Sequence, residues 1–151
     1  MPDFSKICVI IPCHNEEGNV KAVIDDLAAN LPEAAMLVVD DASSDETFHV
    51  AISDSRVQVL SLPINIGVGG GIQTGFKYAI RHGFKYAVKF DGDGQHRADE
   101  IRNLLAAMEE RKADVAVVGV KRVRNLRQSR GRTGGDGRRR GSRLFGQLWA
   151  A

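Results

Sequence analysis

Residues 86–96 read YAVKFDGDGQH, an apolar run that ends in two aspartates two positions apart. A run of this kind is typical of a buried strand, and Asp91 and Asp93 follow directly after it. Together with Gln95 they offer hard oxygen ligands, which suit Mg²⁺ or Mn²⁺, and such ions usually hold a substrate phosphate. Gly92, between the aspartates, lets the backbone approach a bulky ligand closely. The competing interpretation is an acidic turn without a ligand.

An alternation of apolar strand and amphipathic helix extends over residues 6–119. The short apolar runs predict strands that are buried on both faces, as in a parallel sheet, and the segments between them place apolar residues on one helical face. The spacing of Ser43 and Glu46 predicts a capping box at the start of a helix. We therefore predict an α/β domain with a mostly parallel, twisted sheet flanked by helices. The predicted strands are Ile7–Ile11, Met36–Val39, Val57–Leu62, Ala87–Phe90 and Val115–Val118, and the predicted helices are near Val20–Leu27, Thr47–Ser53, Gly71–Arg81 and Ile101–Met108.

Polar clusters follow three of the predicted strands, at residues 14–17, 40–43 and 91–93. In parallel α/β sheets ligands bind at the carboxyl ends of the strands, so these clusters should lie along one edge. Acidic clusters that share an edge would repel one another without a cation. Their joint position is a stronger indication of a metal–phosphate site than any single motif.

These residues resemble family-2 glycosyltransferases, above all the branch that makes polyprenyl-phosphate sugars. Four blocks carry the resemblance, in the family's order and roughly at its spacing: VIIPCHNEE at 9–17, VVDDASSD at 38–45, NIGVGGGIQTG at 65–75 and FDGDGQH at 90–96. The resemblance covers about residues 6–120. It implies a single nucleotide-sugar-binding domain of the GT-A type and a transfer of sugar from a nucleotide-diphosphate sugar with inversion at the anomeric carbon.

The resemblance also implies a nucleotide pocket. Pro12, His14 and Glu16 would line it, with His14 where the family often has Tyr, and Asp41 would read the nucleobase. Gly67 would lie beside the donor in the glycine-rich block.

The same resemblance implies a site for Mg²⁺ or Mn²⁺ and for the diphosphate. Asp91, Asp93 and Gln95 would be the metal ligands, with Asp91 and Asp93 as the catalytic pair, and Asp91 and Gly92 would also contact the nucleotide. Where the family usually has an arginine near the diphosphate, this chain has Lys121, which keeps the charge but loses the bidentate fork.

Several of these residues also have structural interpretations. Asp40 or Asp41 could cap a turn, Glu17 could be a favourable first-turn carboxylate of a helix, and His96 could be a solvated loop residue. The glycine-rich stretch at 67–75 could be a phosphate-binding turn before a helix. It does not fit a dinucleotide fingerprint, because it breaks G-x-G-x-x-G at its last position and follows the third strand, and it has no Walker lysine.

Composition sets further bounds. The chain has 151 residues, of which 43% are hydrophobic, which suits one domain. No apolar run approaches the ~20 residues that span a bilayer, and the first residues lack the basic region of a signal peptide. Cys8 and Cys13 are five apart along one strand and its exit, and we predict reduced thiols in a cytoplasmic protein.

Charge divides the chain at about residue 120. Residues 1–120 hold 11 basic and 18 acidic residues, a net charge of −7, whereas residues 121–151 hold 10 basic and one acidic residue, a net charge of +9. We therefore predict a nucleotide-sugar-binding domain at 1–120 and a basic Arg/Gly-rich tail at 121–151. The tail could close over the donor diphosphate or an acidic lipid phosphate, bind an anionic membrane at its inner face, or have no role. No nucleic-acid partner is expected, since no aromatic platform accompanies the arginines.

Members of the family continue well beyond this length, so the resemblance implies a C-terminally truncated chain, with residues 138–149 as the start of a further helix. The acceptor, a polyprenyl phosphate or a glycan, would be bound on that side. Three functions stay open: a metal-dependent sugar transferase, a non-catalytic nucleotide-sugar-binding module, and a sugar nucleotidyltransferase. The acidic residues after the first strand count against the third, because that class tends to carry an Arg/Lys-rich signature there.

Overall fold

The computed structural model describes residues 3–91, 99–111 and 149–150. After a short 3₁₀ turn at Phe4–Lys6, strands and helices alternate along the chain. In chain order the elements are β1 (Ile7–Cys13), α1 (Val20–Asn30), β2 (Ala35–Asp40), α2 (Thr47–Ile52), β3 (Val57–Ser61), α3 (Gly67–Arg81), β4 (Tyr86–Lys89), α4 (Asp99–Arg111) and β5 (Trp149–Ala150).

The strands form one sheet in the order β3-β2-β1-β4-β5. The first four run parallel and β5 pairs antiparallel with β4, which confirms the predicted mostly parallel sheet. In chain order, β2 pairs with one side of β1 and β3 pairs with β2. The next strand, β4, pairs with the other side of β1. That reversal between β1 and β4 is where open α/β sheets form their ligand-binding crevice.

Alternating residues of the central strands enter two apolar clusters, one on each face of the sheet. The larger cluster packs beneath α1, α2 and α4, and the smaller one lies beneath α3. On β1, Val9 faces the larger cluster and Ile10 the smaller, and both are fully buried. Burial of such a side chain stabilises the fold by about 1.5–3 kcal/mol, so β1 anchors both faces. The apolar face of α1 is buried, as the periodicity of the sequence predicts, through Val20, Val23, Ile24 and Leu27.

Helix α3 is packed through its small residues. It begins at Gly67, four residues before the predicted start near Gly71, so the alternative interpretation of residues 67–75 as a turn ahead of a helix was wrong. The buried positions are Gly71, Gly75 and Ala79, spaced one turn apart, while Ile80 is exposed. A Cβ added at Gly75 would lie 2.3 Å from Cγ2 of Ile10. A glycine is therefore needed at position 75, where the helix backbone approaches the sheet closely.

This contact gives a stability prediction. Gly75→Ala should destabilise the domain by about 1–3 kcal/mol, because Ile10 is buried in the central strand and cannot yield without moving its neighbours. Gly69 is a matched control, since it lies in the same helix with nothing within 4 Å of an added Cβ. Gly69→Ala should be neutral or stabilising by up to about 1 kcal/mol. Chemical denaturation of both variants tests this, and equal effects would contradict the close approach.

Three further predictions need correction. Ser43 and Glu46 form no capping box: α2 has no side-chain cap from Glu46, and the Ser43 hydroxyl accepts instead from the backbone N–H of Asn15. Strand β3 is only half-buried, because it is the edge strand of the sheet. Trp149 lies in β5 rather than in a helix, since the open side of β4 offers backbone partners. The predicted strand at 115–118 falls outside the described residues.

Within the described ranges, no helix has both the length and the apolar character needed to cross a membrane.

Candidate functional site

The strand order reverses between β1 and β4, so the ligand-binding crevice of an α/β sheet is expected at the carboxyl ends of these two strands, next to Pro12. The carbonyl of Ile10 accepts from the N–H of Phe90 (2.8 Å), the last backbone bond described between the two strands. Alternation points the nitrogen of Pro12 to the same side, and proline has no N–H to continue the ladder. Pairing between β1 and β4 therefore ends here without a lost bond, and Asp91 emerges beside the gap.

Two loops frame the crevice on the β2 side and are tied together. Asn15 and Ala42 both have left-handed backbone conformations, with φ of 56° and 54°. The N–H of Asn15 donates to the Ser43 hydroxyl (2.9 Å), and its Oδ1 accepts from the N–H of Ser44 (2.8 Å). Left-handed conformations cost energy for residues with a Cβ and persist where surrounding contacts hold them, as these do.

The residues that follow are tied to the start of α2. The N–H of Glu16 donates to the Thr47 hydroxyl (2.7 Å) and the N–H of Glu17 to Asp45 (3.2 Å). The Glu17 carboxylate accepts from the N–H of Glu46 (2.9 Å). Glu17 therefore precedes α1 and supports the beginning of α2, so its interpretation as a first-turn carboxylate was wrong. The Glu16 side chain is half-buried and accepts from Asn19 (2.9 Å).

Two adjacent buried aspartates end β2 and differ in their partners. Asp40 is 2% exposed, and its two oxygens accept from the Ser43 N–H (3.3 Å) and the Ser61 hydroxyl (3.2 Å). Asp41 is 4% exposed, and its Oδ1 accepts from the N–H of Ile66 (2.8 Å). Oδ2 of Asp41 accepts no hydrogen bond from any residue that the structure describes. Asp40 is thus the turn-capping residue, and Asp41 retains an acceptor for a ligand.

His14 joins the β1 and β2 loops to the segment after β3. Its Nδ1 lies 2.8 Å from the carbonyl oxygen of Asp41. A carbonyl can only accept, so Nδ1 carries a proton. The amides of Asn65 and Asn15 lie 3.2 Å and 3.3 Å from Nε2. Asn65 also accepts, through Oδ1, from the N–H of Gly67 (2.9 Å). This bond holds Gly67, the first residue of α3, which has a positive φ of 81°.

Two residues at the site were not identified from the sequence. Asn65 was part of a recognised block without a role, although an asparagine two residues before a glycine is a known turn-forming signal. The apolar pattern of the sequence assigns Lys89 only to a strand. Its ammonium forms an ion pair with Asp91, and its side chain is 11% exposed against 28% for Asp91.

The structure describes some of the predicted site residues and not others. It brings His14 into contact with Asp41, sets Gly67 at the start of α3, and leaves Asp91 directly after Phe90, whose N–H makes the last described bond to β1. The remaining candidates, Gly92, Asp93, Gln95, His96 and Lys121, lie outside the described residues. Over residues 3–91, 99–111 and 149–150 no group of three or more His, Cys, Asp or Glu side chains could hold a metal ion.

Asp91 alone nevertheless fits one position of such a site. It is a hard oxygen ligand at a strand end, it is partly open to solvent, and it already attracts a positive charge in Lys89.

The two cysteines are unsuited to nucleophilic chemistry. Both are free and buried, as expected, and burial raises the pKa of Cys8 and of Cys13 to about 12, which keeps them as thiols at neutral pH.

Comparison with known proteins identifies the family of this sequence. The family described as glycosyl transferase family 2 matches residues 8–148. The undecaprenyl-phosphate mannosyltransferase of Micrococcus luteus is 35% identical over 122 residues, covering 78% of this chain and 49% of the relative. The polyprenol monophosphomannose synthase of Mycolicibacterium smegmatis is 34% identical over 114 residues, covering 72% and 43%. The chain spans about half the length of these relatives.

A solved structure has the same fold. The mannosyltransferase PcManGT from Pyrobaculum calidifontis, in complex with GDP-Man and Mn²⁺, superposes with a TM-score of 0.61 at 20% identity. The match covers 76% of this chain and 36% of the other. The architecture is therefore that of the GT-A glycosyltransferases, as predicted.

Proposed function

This chain belongs to glycosyl transferase family 2, and from that membership we propose that it binds a nucleotide-diphosphate sugar and forms the donor side of an inverting transferase that acts on a polyprenyl phosphate. The observation that carries the proposal is the placement of His14, Asp41 and Asp91 at the carboxyl ends of three neighbouring strands, β1, β2 and β4. The names of the two bacterial relatives supply the class of acceptor.

The nucleoside would lie on the β1–β2 side of the crevice. Asp41 would accept from a donor group on the base through Oδ2, because its Oδ1 is already held by the N–H of Ile66. His14 and the half-buried Glu16 would form the wall beside it, together with Pro12 and Gly67. The fixed loop contacts of Asn15 keep this wall in one conformation, so little ordering is needed when the ligand binds.

The diphosphate would lie toward β4. Asp91, with Asp93 and Gln95, would hold a Mg²⁺ or Mn²⁺ ion, which when bound would neutralise the charge that develops on the departing nucleoside diphosphate. The neighbouring mannosyltransferase structure contains Mn²⁺, which supports a divalent ion here. Lys121 would add a positive charge near the diphosphate.

The acceptor phosphate would attack the anomeric carbon from the face opposite the diphosphate, so the configuration inverts as the carbon–oxygen bond to the diphosphate breaks. A phosphate oxygen is already anionic at neutral pH, so the nucleophile needs no general base. Residues 121–151, with ten basic residues and one acidic residue, would draw the domain to an anionic membrane surface at its cytoplasmic face, where such a lipid is presented.

The test is transfer from radiolabelled donors to a polyprenyl phosphate in detergent, run beside calorimetric titrations with GDP and UDP. We expect a labelled product that extracts into organic solvent and depends on the lipid phosphate. Binding without transfer would favour the alternative of a nucleotide-sugar-binding module. Absence of nucleotide binding would contradict the proposal itself.

A further inference from the structure

Lys89 occupies an unusual place for a lysine. It is the last residue of β4, with its Cα opposite Ile10 of β1, whereas β5 pairs with the other end of β4, at Tyr86 and Ala87. Its neighbours Val88 and Phe90 enter the larger apolar cluster, so alternation places Lys89 on the α3 face with Ala87. A charge that is 11% exposed is costly unless it is paired. The Asp91 carboxylate, two residues further on the same face, provides the pair.

The charge of Lys89 lies at an acidic edge of the sheet. Asp40 and Asp41 are buried at the end of β2, and Asp91 follows β4. Ion pairs such as Arg56 with Asp54 belong to the opposite edge, where β3 begins. Lys89 therefore places a fixed positive charge on the side of the sheet where the proposed donor would bring further negative charge.

We propose that Lys89 is the internal counter-ion of the donor site, a positioning residue that occupies the Asp91 carboxylate until a cation arrives together with a nucleoside diphosphate. The inference rests on the proposed function. An ammonium on Asp91 competes with a divalent cation for the same oxygen, so a cation alone binds weakly. The same ammonium attracts the diphosphate, so cation and nucleotide favour each other's binding.

The consequence is a pair of effects with opposite signs. Removal of the Lys89 charge should tighten the binding of Mn²⁺ alone by about tenfold, since a nearby positive charge has been lost. It should weaken the binding of nucleoside diphosphate in the absence of metal by about tenfold for the same reason. A lysine that only supports the fold would weaken both.

The experiment measures both affinities by calorimetry, with Mn²⁺ alone and with GDP or UDP in EDTA, for the unaltered chain and for Lys89→Met. Lys77→Met is the matched control, because it removes the same charge from an exposed position of α3 and should change neither affinity. Lys89→Arg should retain wild-type behaviour. If Lys89→Met fails to fold, Lys89→Gln tests the loss of the same charge while a polar side chain is kept.

The inference is overturned if the two affinities of Lys89→Met fall together or stay unchanged. Its failure is distinct from failure of the proposed function, which would appear as absence of nucleotide binding in the unaltered chain with Mn²⁺ present.

Discussion

Under the proposed function, sugar transfer is expected to fall by about 100-fold or more in Asp91→Asn, because the proposed metal at Asp91 would supply several kcal/mol of charge stabilisation to the leaving diphosphate. Asparagine keeps the size of the side chain and removes its charge. We further expect nucleoside diphosphate to bind more tightly with Mn²⁺ than with EDTA in the unaltered chain, and this difference to disappear in Asp91→Asn. Initial rates with saturating lipid acceptor and parallel titrations measure the two effects, and Asp93→Asn should behave in the same way.

The substitution also leaves Lys89 without its charged partner. Removal of one partner from a buried ion pair costs up to about 3–5 kcal/mol, so thermal melting must accompany the kinetics. The double variant Asp91→Asn/Lys89→Met removes both charges and should recover stability without recovering transfer. Glu100→Gln, an exposed acid on α4, should leave transfer unchanged. Transfer by Asp91→Asn within a few-fold of the unaltered chain would contradict a role for Asp91 at the diphosphate.

The fold could be predicted from the sequence because the central strands of a parallel sheet are apolar along their whole length. Ile7–Ile11 and Met36–Val39 were identified by that continuity, and β1 and β2 extend them by only one or two residues. The start of α3 was not accessible, because glycine usually indicates a turn. Only the close approach of Gly75 to Ile10 shows why glycine is needed within this helix.

The positions of the candidate site residues at the strand ends could be predicted from the sequence. Their hydrogen-bond and ion-pair partners could not. Strand ends can be located from sequence, so the edge that holds Asp41 and Asp91 was predictable. Hydrogen-bond partners depend on where loops from different strands meet: Ser43 binds Asn15, 28 residues away, instead of capping α2. The pairing of Lys89 with Asp91 depends on the face of β4 that each occupies, which an apolar pattern does not specify for a charged residue.

Asp40 and Asp41 provide an internal comparison for the nucleotide pocket. They are adjacent, both are buried, and both carry a carboxylate at the end of β2. Both oxygens of Asp40 accept hydrogen bonds from Ser43 and Ser61. Among the residues that the structure describes, Asp41 is held only through Oδ1, by the N–H of Ile66. Substitution of the two residues should therefore separate a structural role from a ligand-binding role.

Asp41→Asn is expected to weaken nucleotide binding by about 1–3 kcal/mol, roughly five- to 150-fold, because it leaves a donor group of the base with a poorer, uncharged partner. The asparagine carbonyl can still accept from Ile66, so the melting temperature should change little. Asp40→Asn should show the reverse: lower stability, since one amide cannot accept from both of its partners, with nucleotide affinity retained. Titration calorimetry with GDP and UDP, together with thermal melts of both variants, measures the four quantities. If Asp41→Asn binds nucleotide as tightly as the unaltered chain, the base is recognised by other residues and the free oxygen of Asp41 has a different role.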